Sequence, residues 1–241
     1  MAVARFFRRL HLQPWQRNLY IVVAAQAAVL TGFGLANPFL PFFIQELGTT
    51  RFEEVAFWTG FINSAPPLAQ AAVAPIWGML ADRFGRKPML VRSLLGGGIM
   101  LLLIGLTVRS VPQLAIMRTI QMMLAGSQTA ATILVATTVP REQCGFGLGL
   151  VQMAGFFGHS MGPMIGGVIG AVFGYRMAFI LAGVLVLAVC TLVIAFVKEE
   201  FEAPKRERRH ARVNPLKANW GLVIAQPILL SMVTLELFNN L

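Results

Sequence analysis

Residues 78–90 read GMLADRFGRKPML, a charged turn between two long apolar runs. Only a few residues separate the runs, so the chain must reverse its direction tightly. Gly85 can adopt a positive φ, and Pro88 suits the first turn of the helix that follows. Asp82 can pair with Arg86, or it can accept hydrogen bonds from backbone N–H groups at the start of a helix. The turn therefore predicts two antiparallel helices joined by a short basic connection.

The apolar runs around this turn indicate an integral membrane protein. The 241 residues are 56% hydrophobic and 12% charged, with a mean hydropathy of +0.69, whereas a soluble domain carries about 25% charged residues. Apolar segments long enough to cross a bilayer predict six helices, spans 1 to 6, at residues 19–44, 55–80, 88–108, 112–139, 146–173 and 177–197. A seventh span begins near Trp220 and runs to Leu241. The predicted fold is an all-α membrane protein: a six-helix bundle at 1–197, a basic linker at 198–219 and the start of a seventh helix at 220–241.

The net charge of +10 could suggest a nucleic-acid partner, but the location of the cations argues against one. Fifteen of the 20 Lys and Arg residues lie in the N-terminal segment and in the connections after spans 2, 4 and 6. The opposite connections hold only Arg51, Arg109 and Arg176. By the positive-inside rule, the N-terminus and the linker are cytoplasmic. We therefore expect a multi-pass protein of the cell (inner) membrane, surrounded by lipid and with no nucleic-acid partner.

The turn at 78–90 resembles the loop signature of the major facilitator superfamily, G-x-L-A-D-R-x-G-R-K-x-x-L, at every specified position. In that family the motif acts as a latch between two halves of a transporter and stabilises the outward-open state. The resemblance implies a gating role for Gly78, Asp82, Arg83, Gly85, Arg86 and Lys87. Without the resemblance, the same residues would read as an ordinary positive-inside loop.

Glycines recur every four residues along span 5, at Gly158, Gly162, Gly166, Gly170 and Gly174. This spacing lets a partner backbone approach closely in lipid. Pro163 should remove one backbone hydrogen bond and bend the helix. Residues 158–167 are also similar to G-x-x-x-G-P-x-x-G-G, a motif of the drug:proton antiporter branch. The resemblance implies efflux rather than uptake and rests on Gly158, Gly162, Pro163, Gly166 and Gly167, although packing alone would explain the glycines.

Arg118 is the cation that we predict to lie well inside a span. An arginine there costs about 3 kcal/mol or more unless it faces water or snorkels, and a depth of about 9 Å from the outer end keeps snorkelling open. Residues 118–126 resemble the family motif R-x-x-Q-G-x-G-A-G, which implies that Arg118 takes part in proton coupling or anion stabilisation. The matching positions are Arg118, Gln121, Ala125 and Gly126. Met122 and Leu124 replace two glycines, which puts close packing of span 4 in doubt.

Proton coupling needs a group that changes its charge, and spans 1 to 6 contain no Asp or Glu. His159 in span 5 and Glu236 in span 7 are therefore the candidates beside Arg118. A histidine titrates near neutral pH without much tuning, although a lone histidine on a glycine-lined helix can equally be a packing residue. We expect the proton gradient to be the energy source, and we predict no cofactor, metal site or catalytic residue.

Neutral polar residues inside spans should either line an aqueous cavity or bond to neighbouring helices. The candidates for a substrate cavity are Asn37, Asn63, Gln70, Gln128 and Gln152. Their surroundings are rich in Met and Phe, whose adaptable side chains suit varied apolar ligands. Core packing would explain each of these Met and Phe residues equally well.

The chain as a whole is similar to the N-terminal half of a twelve-helix drug:proton antiporter, in which substrate binds between two rocking bundles. The expected function is proton-coupled efflux of small lipophilic compounds and not an enzymatic reaction. Because one bundle cannot alternate alone, we expect either a truncated sequence or a half that needs a second copy or a separate partner. An uptake symporter of the same fold and a non-transporting half-bundle scaffold remain alternatives.

Overall fold

The computed structural model describes residues 13–197, and all regular structure in that range is helical. The eight α-helices are α1 (Pro14–Ala36), α2 (Leu40–Glu46), α3 (Phe52–Phe84), α4 (Arg86–Thr107), α5 (Val111–Leu124), α6 (Ser127–Thr138), α7 (Cys144–Phe173) and α8 (Tyr175–Phe196). Single 3-10 turns, Asn37–Phe39 and Arg141–Gln143, precede α2 and α7. The all-α prediction is confirmed. The linker and the seventh span, with Glu236, lie outside the described residues.

Spans 2, 3, 5 and 6 each correspond to one helix, whereas spans 1 and 4 are interrupted. Four helical stretches are long and apolar enough to cross a membrane: Trp15–Glu46, Arg86–Thr107, Arg141–Phe173 and Tyr175–Phe196. The fourth span is not among them because α5 and α6 have only 14 and 12 residues, and a crossing helix needs about 20. The long helix α3 carries three prolines and also falls outside this set.

The break in span 4 corrects the prediction of one helix over 112–139. Gly126 has a φ of 125°, a left-handed conformation that favours glycine. The carbonyl of Met123 accepts a hydrogen bond from Trp77 Nε1 at 2.8 Å. On the other side of the break, the carbonyl of Ser127 accepts one from Gln26 Nε2 at 2.9 Å. Side chains from α3 and α1 therefore hold the backbone on both sides of the break.

The glycine face of α7 packs directly on the backbone of α1. A Cβ built on Gly162 would lie 2.6 Å from the Cα of Gly34, and one on Gly166 would lie 2.1 Å from the carbonyl oxygen of Leu35. Such distances leave room only for hydrogen at these positions. The face does not extend to Gly174 as predicted, because Gly174 has a φ of 83° and joins α7 to α8. Helix α7 runs without interruption through Pro163.

Leu124, one of the two larger residues in span 4, is accommodated by a glycine on the neighbouring helix. A Cβ built on Gly96 of α4 would lie 3.0 Å from the Cβ of Leu124. The small residue is therefore Gly96 on α4, and the large one is Leu124 on α5. The two helices still pack closely although leucine replaces a glycine of the motif. This resolves the doubt about Leu124 that the motif comparison raised.

Two helices leave much of their surface uncovered by the described bundle. In α3, only Val55, Ile62, Pro66 and Ala81 are buried. The face of α7 opposite its glycines exposes several large apolar side chains, among them Met153, Phe156 and Phe157. Exposed apolar surface on this scale marks contact with lipid or with another protein surface.

Candidate functional site

The turn between α3 and α4 is built around Gly85. Its backbone N–H donates to the carbonyl of Ala81 at 3.0 Å and ends α3, while its φ of 98° turns the chain into α4. Asp82 Oδ1 and Arg86 Nη2 form an ion pair at 2.8 Å across the turn. The Asp82 side chain is 68% exposed and that of Arg86 is 23% exposed. The pairing follows the sequence expectation, and the exposed carboxylate can still accept further hydrogen bonds.

The other residues of the turn motif contact different surroundings. The Arg83 guanidinium lies 5.3 Å from the ring centre of Phe84. Lys87 Nζ donates to the carbonyl of Ile194 in α8 at 3.1 Å, which ties the turn to the end of the last described helix. Gly78 is exposed, and nothing lies within 4 Å of a Cβ built on it. The described bundle therefore leaves room over Gly78 for a close neighbour.

Arg118 lies at the centre of a buried polar cluster. The residue is 6% exposed, and its Nη1 donates to Gln121 Oε1 at 2.8 Å. Its Nη2 donates to Asn37 Oδ1, at the 3-10 turn where α1 ends. Two buried donors, Arg118 Nε and Gln121 Nε2, have no hydrogen-bond partner among the described residues. The cluster joins spans 1 and 4 and keeps donors available for an acceptor.

The remaining polar candidates are spread over the surface of the bundle. Gln128 Nε2 donates to Gln152 Oε1 at 3.2 Å, which joins α6 to α7. Asn63 on α3 and His159 on α7 are exposed. Gln70 is half-buried and lines a cavity beside the break in span 4. The structure thus brings Asn37 to Arg118 and Gln128 to Gln152, but it leaves Asn63 and Gln70 apart from these pairs.

Arg92 corrects the view that Arg118 alone carries a charge inside a span. It lies in the second turn of α4, with its guanidinium 3.4 Å from the ring centre of Trp77. Arg92 Nε and Nη1 are buried and have no hydrogen-bond partner among the described residues. In the sequence, Arg92 lies only five residues after Lys87, so it looks like part of the basic turn and not like a charge inside a span.

The cavity beside Arg92 has a volume of about 370 Å³. Its walls come from α3, from the first part of α4, from the break at residues 125–126 and from α6. Arg86 and Arg92 supply its charged lining, and Gly78 and Gly126 also border it. The turn motif and the broken span therefore share one cavity, which the sequence did not indicate.

The profile described as Major Facilitator Superfamily matches residues 22–240, which is most of the chain. The chain belongs to the Major Facilitator Superfamily. This family is made up of membrane transporters, so the resemblance drawn from the turn motif is confirmed.

Relatives in this family include three proteins named multidrug resistance protein MdtG. Those of Enterobacter lignolyticus, Serratia proteamaculans and Escherichia coli (strain K12 / DH10B) are 37%, 38% and 41% identical. Each alignment covers 82% of this chain but only 47% or 48% of the relative. The chain spans about half the length of the curated relatives it matches, which agrees with an N-terminal half.

A solved structure gives the same fold. The described bundle is similar to the crystal structure of the human organic anion transporter MFSD10 (TETRAN), with a TM-score of 0.70 and 22% sequence identity. The match covers 81% of this chain and 50% of that one. At this identity the likeness establishes the fold alone, and it agrees with a multi-pass membrane protein.

Proposed function

We propose that this chain forms the N-terminal bundle of a proton-coupled exporter of small lipophilic compounds. The observation that carries the proposal is the buried cluster of Arg118, Asn37 and Gln121. A charged group inside a membrane bundle is costly and marks an ion or substrate pathway by default. Among the described residues, two donors of this cluster have no hydrogen-bond partner, whereas a purely structural polar cluster would have satisfied them.

Export rather than uptake is supported by the motif on α7 and by the relatives. Gly158, Gly162 and Gly166 of the antiporter motif contact the backbone of α1, and α1 ends at Asn37 beside Arg118. The related proteins carry the name multidrug resistance protein. We propose an inner-membrane location with the N-terminus in the cytoplasm, on the strength of the cation count.

Alternating access requires a second bundle. We propose that the exposed faces of α3 and α7 meet it, because they carry large apolar side chains that the described bundle leaves uncovered. The second bundle is either the C-terminal half of the same protein or a second half-transporter. Substrate would then bind between the bundles, near Asn37, Gln128 and Gln152.

The proposal is tested with the protein expressed from its complete reading frame and reconstituted in liposomes. An acid interior is imposed, and accumulation of a lipophilic fluorescent dye is followed. Protein that inserts inside out has its cytoplasmic face towards the bath. If it is an exporter, it moves dye from the bath into the liposome while protons leave the acid interior. An uptake symporter would instead move dye in the direction of proton flow. A non-transporting scaffold would move no dye in either direction.

The proton carrier is tested in the same assay. We propose that His159 or Glu236 accepts the proton and that Arg118 responds to the change in charge. His159→Gln and Glu236→Gln are compared singly and together, with Gln45→Asn as a control at an exposed site. At least one of the two variants should lose gradient-driven accumulation. If the double variant kept it, the proton would have to be carried elsewhere in the protein.

A further inference from the structure

The 3-10 turn at the end of α1 brings Asn37 to Arg118. Asn37 accepts a hydrogen bond from Arg118 Nη2, yet Asn37 itself is exposed, so burial does not fix the position of its side chain. The residues directly before and after the turn are buried and fix the backbone there. Within the turn, Phe39 is half-buried. A contact at Phe39 can therefore orient the turn that carries Asn37.

Phe39 packs on an aromatic ring from another helix, Tyr175 at the start of α8. The ring centres of Phe39 and Tyr175 lie 5.7 Å apart, with an angle of 19° between the ring planes. Phe42, in the first turn of α2, stacks on the same tyrosine at 5.5 Å and 18°. Both pairs have the offset-stacked spacing that aromatic rings favour. Tyr175 therefore contacts both the 3-10 turn and the helix that follows it.

Tyr175 has a well-defined place in the bundle. A Cβ built on Gly170 of α7 would lie 2.5 Å from Cε1 of Tyr175, so the ring fills space that a glycine leaves open. The next residue, Arg176, donates to the carbonyl of Gly105 at 3.2 Å, near the end of α4. The start of α8 is therefore attached to α7 and to α4, and it can serve as a fixed support for the turn.

We propose that Tyr175 is a positioning residue for Arg118, because its ring fixes the turn from which Asn37 accepts the hydrogen bond. Without the ring, Asn37 leaves Arg118 for part of the time. The guanidinium then loses one of the two amide acceptors that it has among the described residues. The consequence for transport rests on the proposed function, in which Arg118 responds to the charge of the proton carrier. Proton movement becomes less tightly coupled to substrate movement when the ring is removed.

The first test measures stability and requires no transport. Asn37→Leu is combined with Tyr175→Phe and with Tyr175→Leu in the complete purified protein, and unfolding by denaturant is followed in detergent micelles. Residues that act through one arrangement give non-additive effects in such a cycle. Asn37→Leu should lower the midpoint of unfolding in Tyr175→Phe, which keeps the ring, as much as in the wild type. It should cause little further change in Tyr175→Leu.

A second background removes the other ring of the stack. Phe39→Leu takes the place of Tyr175→Leu if that variant does not fold, and Asn37→Leu should again cause little further change in it. The proposal is overturned if Asn37→Leu lowers the midpoint equally in backgrounds with and without the stacked rings.

The second test measures coupling in liposomes. Gradient-driven accumulation of the lipophilic dye is compared with exchange, which is the uptake of radiolabelled dye into liposomes preloaded with unlabelled dye and without a proton gradient. Exchange requires no net transfer of protons. Tyr175→Leu should lose accumulation several-fold while keeping exchange, and Tyr175→Phe should keep both.

The control for a general loss of stability is Val193→Ala, which removes buried atoms near the other end of α8. It should change accumulation and exchange by the same factor. A parallel fall of both activities in Tyr175→Leu would overturn the proposal, since the ring would then support the fold alone. Failure of the wild type to accumulate or exchange dye would instead contradict the proposed function, and the stability cycle would still decide the role of Tyr175.

Discussion

Arg118 and Asn37 lie 81 positions apart in the sequence and meet inside the bundle. Asn37 ends α1 and accepts a hydrogen bond from the arginine, and hydrogen bonds to charged groups contribute about 1.5–3 kcal/mol. Replacing Asn37 with leucine keeps the approximate volume and removes the acceptor. We expect Asn37→Leu to lower the free energy of unfolding by about 2 kcal/mol, measured by denaturant titration in detergent micelles.

The control for this prediction is Asn63→Leu, at an exposed site on α3. Because an exposed substitution usually changes stability by no more than about 0.5 kcal/mol, this variant should unfold like the wild type. Equal destabilisation by both variants would show that the Arg118 cluster has no special part in the stability of the bundle.

Single residues also show how far the sequence could be interpreted. The sequence indicates Arg118 because a charge in the middle of an apolar run is conspicuous. It does not indicate Arg92, since a cation one turn from a basic loop looks like part of the loop. Its stacking on Trp77 depends on the side-by-side placement of α3 and α4, and no local pattern encodes that placement.

At the scale of elements, the contact of α7 with α1 depends on hydrogen in place of a side chain. A Cβ on Gly166 would lie 2.1 Å from a backbone oxygen of Leu35, and backbone cannot move aside as a side chain can. Overpacking of this kind costs about 1–3 kcal/mol. We expect Gly166→Ala to lower the melting temperature of the purified protein. A Cβ at Gly149 on the same helix meets open space. Gly149→Ala should therefore leave the melting temperature unchanged or raise it, because alanine favours helix. A fall of equal size at both positions would contradict the packing account.

The break in span 4 gives a second prediction at this scale. Gly126 has a φ of 125°, and residues with a side chain in such a conformation store about 1–3 kcal/mol of strain. Gly126→Ala should therefore destabilise the protein in thermal unfolding. Gly60→Ala, a helical site in α3 with open space around it, is the control. Equal melting temperatures for the two variants would mean that span 4 can continue as one helix.

The elements were predicted well where composition decides them. Long apolar runs bounded by charge predicted the helices at 88–108, 146–173 and 177–197 to within about three residues. The break at Gly126 was missed because a small residue in an apolar run is compatible with helix. Its carbonyls find partners in Gln26 and Trp77, which come from other spans. The turn at 78–90 can be predicted from the sequence, because Gly85 and the Asp82–Arg86 ion pair lie within a few residues of each other in the chain.

At the scale of the whole molecule, the described bundle is one half of the fold shared with its relatives. The exposed faces of α3 and α7 and the open space over Gly78 are the features that a second bundle would cover. Family membership follows from the sequence as a whole. The cavity shared by the turn motif and the broken span follows only from the packing of α3, α4 and α6.

Alternating access by two bundles, with the gating role that the resemblance implies for the turn, requires the second bundle to close over Gly78 and to open again during each transport cycle. The direct test is alkylation of Gly78→Cys by a membrane-impermeant maleimide, in the complete protein carrying Cys144→Ser. Inside-out vesicles present this side to the reagent. We expect the rate to change several-fold when the proton gradient is reversed in the presence of substrate. Gly145→Cys, exposed and with open space around it at the start of α7, should react at one rate throughout. Equal and constant rates at both positions would contradict alternating access at this turn.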